Sequence, residues 1–72
     1  MLYPRIRALR EDKDLKQKQL AAAIGVSQRT YSYYENGQRM LPPEVLCALA
    51  DFYGTSTDYL LGRTDDDAPP PR

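Results

Sequence analysis

Residues 17–37 read QKQLAAAIGVSQRTYSYYENG. In the first half Leu20, Ala21 and Ile24 recur at i, i+1 and i+4, the apolar stripe of a short helix from Gln17 to about Ile24. Gly25 can turn the chain out of that helix. Ser27 then offers an N-cap oxygen to a second helix, which runs to about Glu35 and stops at Asn36-Gly37. The stretch predicts two short helices joined by a tight turn.

Tyr31, Tyr33 and Tyr34 crowd into the second helix. Counting about 100° per residue from Gln28, the side chains of Gln28, Arg29, Ser32, Tyr33 and Asn36 share one side, and Tyr31 and Tyr34 fall on the other. Tyr31 and Tyr34 are therefore expected in the core, with their hydroxyls at its edge or on a polar partner. Tyr33 is expected to face outward. An outward face of Gln, Arg, Ser, Tyr and Asn at a helix amino terminus suits base edges in a DNA major groove, where Gln pairs bidentately with adenine and Arg with guanine. A two-helix unit with a turn of about 3–4 residues is the arrangement that presents such a helix.

Outward from this unit, Ile6 and Leu9 lie among charges between Pro4 and Lys13, which predicts an amphipathic first helix that Asp14 and Leu15 break. After a loop at 38–41, Pro42-Pro43 and Glu44 open a fourth helix with an apolar face of Val45, Leu46, Leu49, Phe52 and Tyr53, ended by Gly54. Ser56 caps a short fifth helix, Asp58 favours its dipole, and Tyr59, Leu60 and Leu61 give it something to bury. The expected fold is all-α, five short helices in one domain over residues 1–63. Residues 64–72 combine like charges with a proline run and are expected to be a disordered acidic tail.

A chain of 72 residues makes one small domain, near the lower limit for a single hydrophobic core. Cys47 is the only cysteine, so no intrachain disulfide forms, and in the run VLCALA it reads as a small apolar residue. The amino terminus has no apolar h-region and nowhere do about eighteen apolar residues run together. A soluble, cytoplasmic protein without a membrane partner is expected. With no His, one Cys, no phosphate-cradling glycine loop and no clustered ligands, neither an enzyme nor a metal, cofactor or small-molecule ligand is expected.

The formal net charge of zero conceals an asymmetry. Residues 1–40 carry eight basic and four acidic groups, a net +4, and residues 41–72 carry two and six, a net −4. One half can meet phosphate; the other repels it.

The stretch from Gln17 to Gly37 resembles the helix-turn-helix of the phage repressor and Cro-like family of regulators, also called the xenobiotic-response-element family. Leu20, Ala21, Ile24, Gly25, Val26, Tyr31 and Tyr34 match its apolar, small and turn positions. Ala21 must be small where the two helices cross, and Gly25 must reach positive φ. RIRALREDKDL resembles the family's first helix and LPPEVLCALADFYGTSTDYLLG its fourth and fifth, so the likeness covers about residues 4–63. It implies a lambda-repressor-like domain. It also implies that Gln28, Arg29, Ser32 and Tyr33 read bases from the helix at about 28–35, and that Gln17, Asn36 and Arg39 touch the DNA backbone. Lys16 and Lys18 flank Gln17 and are assigned to the backbone as well. Arg10 and Glu35 align with an internal ion pair that ties the first helix to the third.

The chain departs from the pattern at four places. Asp14 stands where the family commonly has Gly, Lys16 where Ser or Thr caps the second helix, Tyr31 for an aliphatic residue and Thr55 for a valine. The resemblance implies a DNA-binding regulator, a repressor occupying an operator. One such domain makes few base contacts, so a homodimer is expected, reading two half-sites about 34–36 Å apart. Tyr59, Leu60 and Leu61, or Phe52 and Tyr53, are candidates for the contact between copies. The alternative reading is a protein-interaction module, an antitoxin-like or anti-repressor subunit built on the same fold.

Overall fold

The computed structural model describes residues 3–69. It contains five helices and, among the described residues, no strand. They are α1 (Pro4–Asp12), α2 (Gln17–Ile24), α3 (Gln28–Glu35), α4 (Pro43–Tyr53) and α5 (Thr57–Leu60). α2 packs on α3 and α4, α4 on α5, and α1 on α3 and α5.

The local reasons for these boundaries lie in a few residues. Proline opens both α1 and α4, where a missing N–H costs nothing and φ is already helical. Ser27 and Ser56 each cap the helix that follows, accepting from the N–H groups of Thr30 and Tyr59, both at 3.1 Å. Gly25 ends α2 at φ 78°, and the Val26 N–H returns to the Ala21 carbonyl at 3.0 Å, which sets α3 across α2. No atom lies within 4 Å of the position a Cβ would take at Gly25, so dihedral freedom alone requires glycine there. Asp14 also adopts positive φ, 55°, in the turn after α1. An aspartate tolerates that conformation better than most residues and worse than glycine.

The core gathers Tyr3, Ile6, Leu20, Ala21, Tyr31, Tyr34, Val45, Leu49, Ala50 and Leu60, so every helix contributes at least one side chain. Tyr31 is the largest fully buried side chain, and Tyr34 is buried beside it. The hydroxyls of Tyr31, Tyr53 and Thr55 are buried with no hydrogen bond of good geometry, although that of Tyr31 lies close enough to the Glu35 carboxylate to interact with it. In a small domain an aromatic ring at Tyr31 fills volume that a shorter aliphatic side chain would leave to be filled otherwise, and its hydroxyl is carried in with it.

Cys47 is exposed, about 200° around α4 from Val45, in keeping with its place off the apolar face. Two expectations are corrected. Phe52 and Leu61 are also exposed, at the uncovered ends of α4 and α5, and the Phe52 and Tyr53 rings meet edge to face at a centroid distance of 5.1 Å. Leu60, by contrast, closes the core at 1% exposure, which removes it from the candidates for a contact between copies.

Of the stretch expected to be disordered, residues 70–72 lie outside the described residues. Thr64 and Asp65 are held by Arg5 of α1. Its guanidinium donates to the carbonyls of Tyr59 (2.9 Å) and Thr64 and to the Asp65 carboxylate (2.7 Å), and it stacks on the Tyr59 ring at 4.2 Å.

Candidate nucleic-acid interface

α3 has an inner and an outer side. On the inner side, Glu35 is 2% exposed and receives the guanidinium of Arg10, Nε to Oε2 at 2.6 Å and Nη2 to Oε1 at 3.1 Å. The remaining terminal nitrogen of Arg10 donates to the Leu15 carbonyl at 2.8 Å, so one side chain of α1 fastens both the end of α3 and the turn into α2. The Gln17 amide donates to the same carboxylate at 3.3 Å, which joins the start of α2 to the knot. Burial pushes the Glu35 carboxyl up, but the hydrogen bonds from Arg10 and Gln17 outweigh it and hold the group below the usual carboxylate range. The Tyr31 hydroxyl adds to this by proximity, without a hydrogen bond of good geometry. In return the bond to Glu35 raises Arg10, and burial followed by the interaction with the Glu35 carboxylate raises the Tyr31 phenol. The same two influences push Tyr53 up to about 12.

On the outer side, Gln28, Arg29, Ser32 and Tyr33 line one open concavity, and Gln17 forms its edge. Arg29 donates from Nε to the Tyr33 hydroxyl at 2.9 Å, one helical turn on. The loop after α3 folds back on the same residue: the N–H groups of Gln38 and Arg39 donate to the Tyr33 carbonyl at 2.9 and 3.3 Å. That return places the Arg39 guanidinium over the Tyr33 ring at 5.1 Å. Asn36 reaches Ser32, amide nitrogen to hydroxyl, at 3.4 Å. Lys16 and Lys18 stand exposed at the start of α2 and do not line the concavity.

Two further residues shape this face without any sequence signal having pointed to them. The buried hydroxyl of Tyr3 accepts from the Leu41 N–H at 3.1 Å and so anchors the far end of the loop that carries Arg39. Gln19 compensates for the missing cap of α2: its side-chain oxygen accepts from the Lys16 N–H at 2.8 Å. This is one half of a capping box; the other half is absent, since an ammonium has no lone pair to offer. Gln19 sits three residues after the cap position, so its role could have been read from spacing; that of Tyr3, whose contact lies 38 residues away, could not.

Residues 6–60, with the two helices and their turn at the centre, match the helix-turn-helix family. The chain belongs to it. This helix-turn-helix protein is 41% identical over 69 residues to an uncharacterized HTH-type transcriptional regulator, YobD, of Bacillus subtilis, across 96% of this chain and 62% of that protein. It is 43% identical over 65 residues to the cryptic phage CTXphi transcriptional repressor RstR of Vibrio cholerae, across 90% of this chain and 59% of RstR. The chain therefore spans about three fifths of the length of these relatives. Its fold is that of the P22 c2 repressor, solved in complex with a synthetic operator, at a TM-score of 0.77 and 34% identity, covering 85% of this chain and 92% of that one. No helix of the described residues is long and apolar enough to cross a membrane, and no group of three or more metal-ligating side chains is found among them.

Proposed function

We propose that this chain is a sequence-specific DNA-binding regulator of transcription, a repressor that occupies an operator by laying α3 in the major groove. The observation that carries the reading is the outer side of α3, where Gln28, Arg29, Ser32 and Tyr33 open together onto solvent. Each has the hydrogen-bonding capacity that base edges demand. Gln17 at that concavity, Asn36 and Arg39, and the exposed Lys16 and Lys18 supply contacts to the phosphates. The operator-bound state of the P22 c2 repressor and the names of the relatives support the same reading.

The protein works as a homodimer on a two-fold operator in the cytoplasm, binding DNA rather than catalysing a reaction, and residues 1–63 form the DNA-binding unit. Selection from a random pool of duplexes, at stated salt, is expected to recover an inverted repeat. The double variant Gln28→Ala/Arg29→Ala should lose that operator while keeping its helical circular dichroism and melting temperature. Full operator binding by this folded variant would sink base reading by α3, and a wild-type chain that selects no duplex would favour a protein-interaction module.

A further inference from the structure

The three arginines of α1 each pair with a carboxylate: Arg5 with Asp65, Arg7 with Glu11 and Arg10 with Glu35. Arg29 and Arg39 pair with none among the described residues; both are gathered instead around Tyr33. Tyr33 is itself held in place, since its carbonyl receives two loop N–H groups and the Arg39 guanidinium covers its ring.

From this arrangement we infer that Tyr33 is a positioning residue, which fixes Arg29 to read a single guanine end-on. The inference rests on the DNA reading above. A guanidinium can approach two acceptors through its two terminal nitrogens or through Nε and one of them. In this chain Nε is already spent on the Tyr33 hydroxyl, so only the terminal edge remains. Two parallel donors match guanine, which presents O6 and N7 side by side in the major groove. Adenine sets a donor next to its N7, thymine offers one acceptor, and cytosine offers a donor, so each leaves one N–H of the fork unmatched. Holding the side chain before the encounter also reduces the rotamer entropy lost on binding.

The test compares the wild-type chain with Tyr33→Phe, Arg29→Ala and Arg29→Lys. For each, the measurement is affinity for the selected operator, for operators changed at one base pair at a time, and for unrelated duplex, all at one salt concentration. In the wild type one guanine per half-site should be worth about tenfold or more in affinity, a preference that Arg29→Ala abolishes. Arg29→Lys should weaken it, because an ammonium has three donors but neither the planar fork nor the Nε that Tyr33 holds. Tyr33→Phe should cut the preference at that base pair severalfold, more than at any other position, and leave the melting temperature unchanged. A Tyr33→Phe chain that keeps the full guanine preference overturns the positioning role alone, as does one that weakens equally on every sequence. A wild-type chain that selects no operator overturns the DNA reading and this inference with it.

Discussion

The two sides of α3 use the same chemistry for opposite ends. Each places an arginine against an oxygen of the helix, Arg10 on Glu35 inside and Arg29 on Tyr33 outside. Inside, Arg10 is charge-matched, bidentate and largely removed from water, and all its nitrogens are engaged. Outside, Arg29 is exposed, meets a neutral hydroxyl and leaves its terminal edge without a described partner. A saturated arginine is a fastener, and an unsaturated one is an invitation to a ligand. Burial and completeness of pairing, rather than residue type, separate the part of α3 that holds the fold from the part that meets a partner.

The most damaging way to break this comparison is on the inside. Glu35→Ala leaves the Arg10 guanidinium with its carboxylate gone and should cost roughly 3–5 kcal/mol of stability, read from chemical denaturation. A loss below about 1 kcal/mol would mean that the pair behaves like a surface ion pair. The pH dependence has the same origin. The folded chain holds the Glu35 carboxyl below its ordinary value, so its contribution is complete above the unfolded value of about 4.3 and fades as pH falls through the lowered folded one. Urea midpoints taken below about pH 5 should therefore fall with acidification, and fall less steeply in Glu35→Gln.

A smaller effect of opposite sign is expected at Thr55, whose buried hydroxyl has no partner. Thr55→Val should stabilise by about 1 kcal/mol, seen as a higher melting temperature; a loss would show that the hydroxyl finds a partner in solution. At the edge between the two sides, Lys16→Ser would complete the capping box that Gln19 half provides and remove a cation from the positive end of the α2 dipole. It should gain roughly 0.5–1 kcal/mol and flatten the salt dependence of DNA binding by about one unit of logarithmic slope. An unchanged slope would show that Lys16 meets no phosphate. The smallest stability effect is reserved for the outside: Arg29→Ala should stay within about 0.5 kcal/mol of the wild type in denaturation. A larger loss would place Arg29 with Arg10 among the fasteners.

The amphipathic spacing that separates Tyr31 and Tyr34 from Tyr33 was legible in the sequence, because a helix repeats its faces regardless of what covers them. The same regularity misled at Phe52, which shares the wheel position of Val45 and Leu49 and yet protrudes, since periodicity locates a face and cannot tell where the neighbouring helix ends. What the sequence could not convey is where long side chains find their second contacts. That Arg5 reaches Thr64 and Asp65, that Tyr3 holds Leu41, and that the loop brings Arg39 to Tyr33 depend on tertiary juxtaposition with no local period. The rescue of the α2 cap by Gln19, by contrast, is a local contact three residues on, which capping-box spacing could have shown.

Arg5 and Asp65 are 60 residues apart in sequence and 2.7 Å apart in space. The two ends of the folded unit thus issue from a single corner, and any appendage at either end would be tethered there. The ends could equally be spliced: a chain circularly permuted through a short linker at this corner, and reopened in an exposed loop, should return to the same fold.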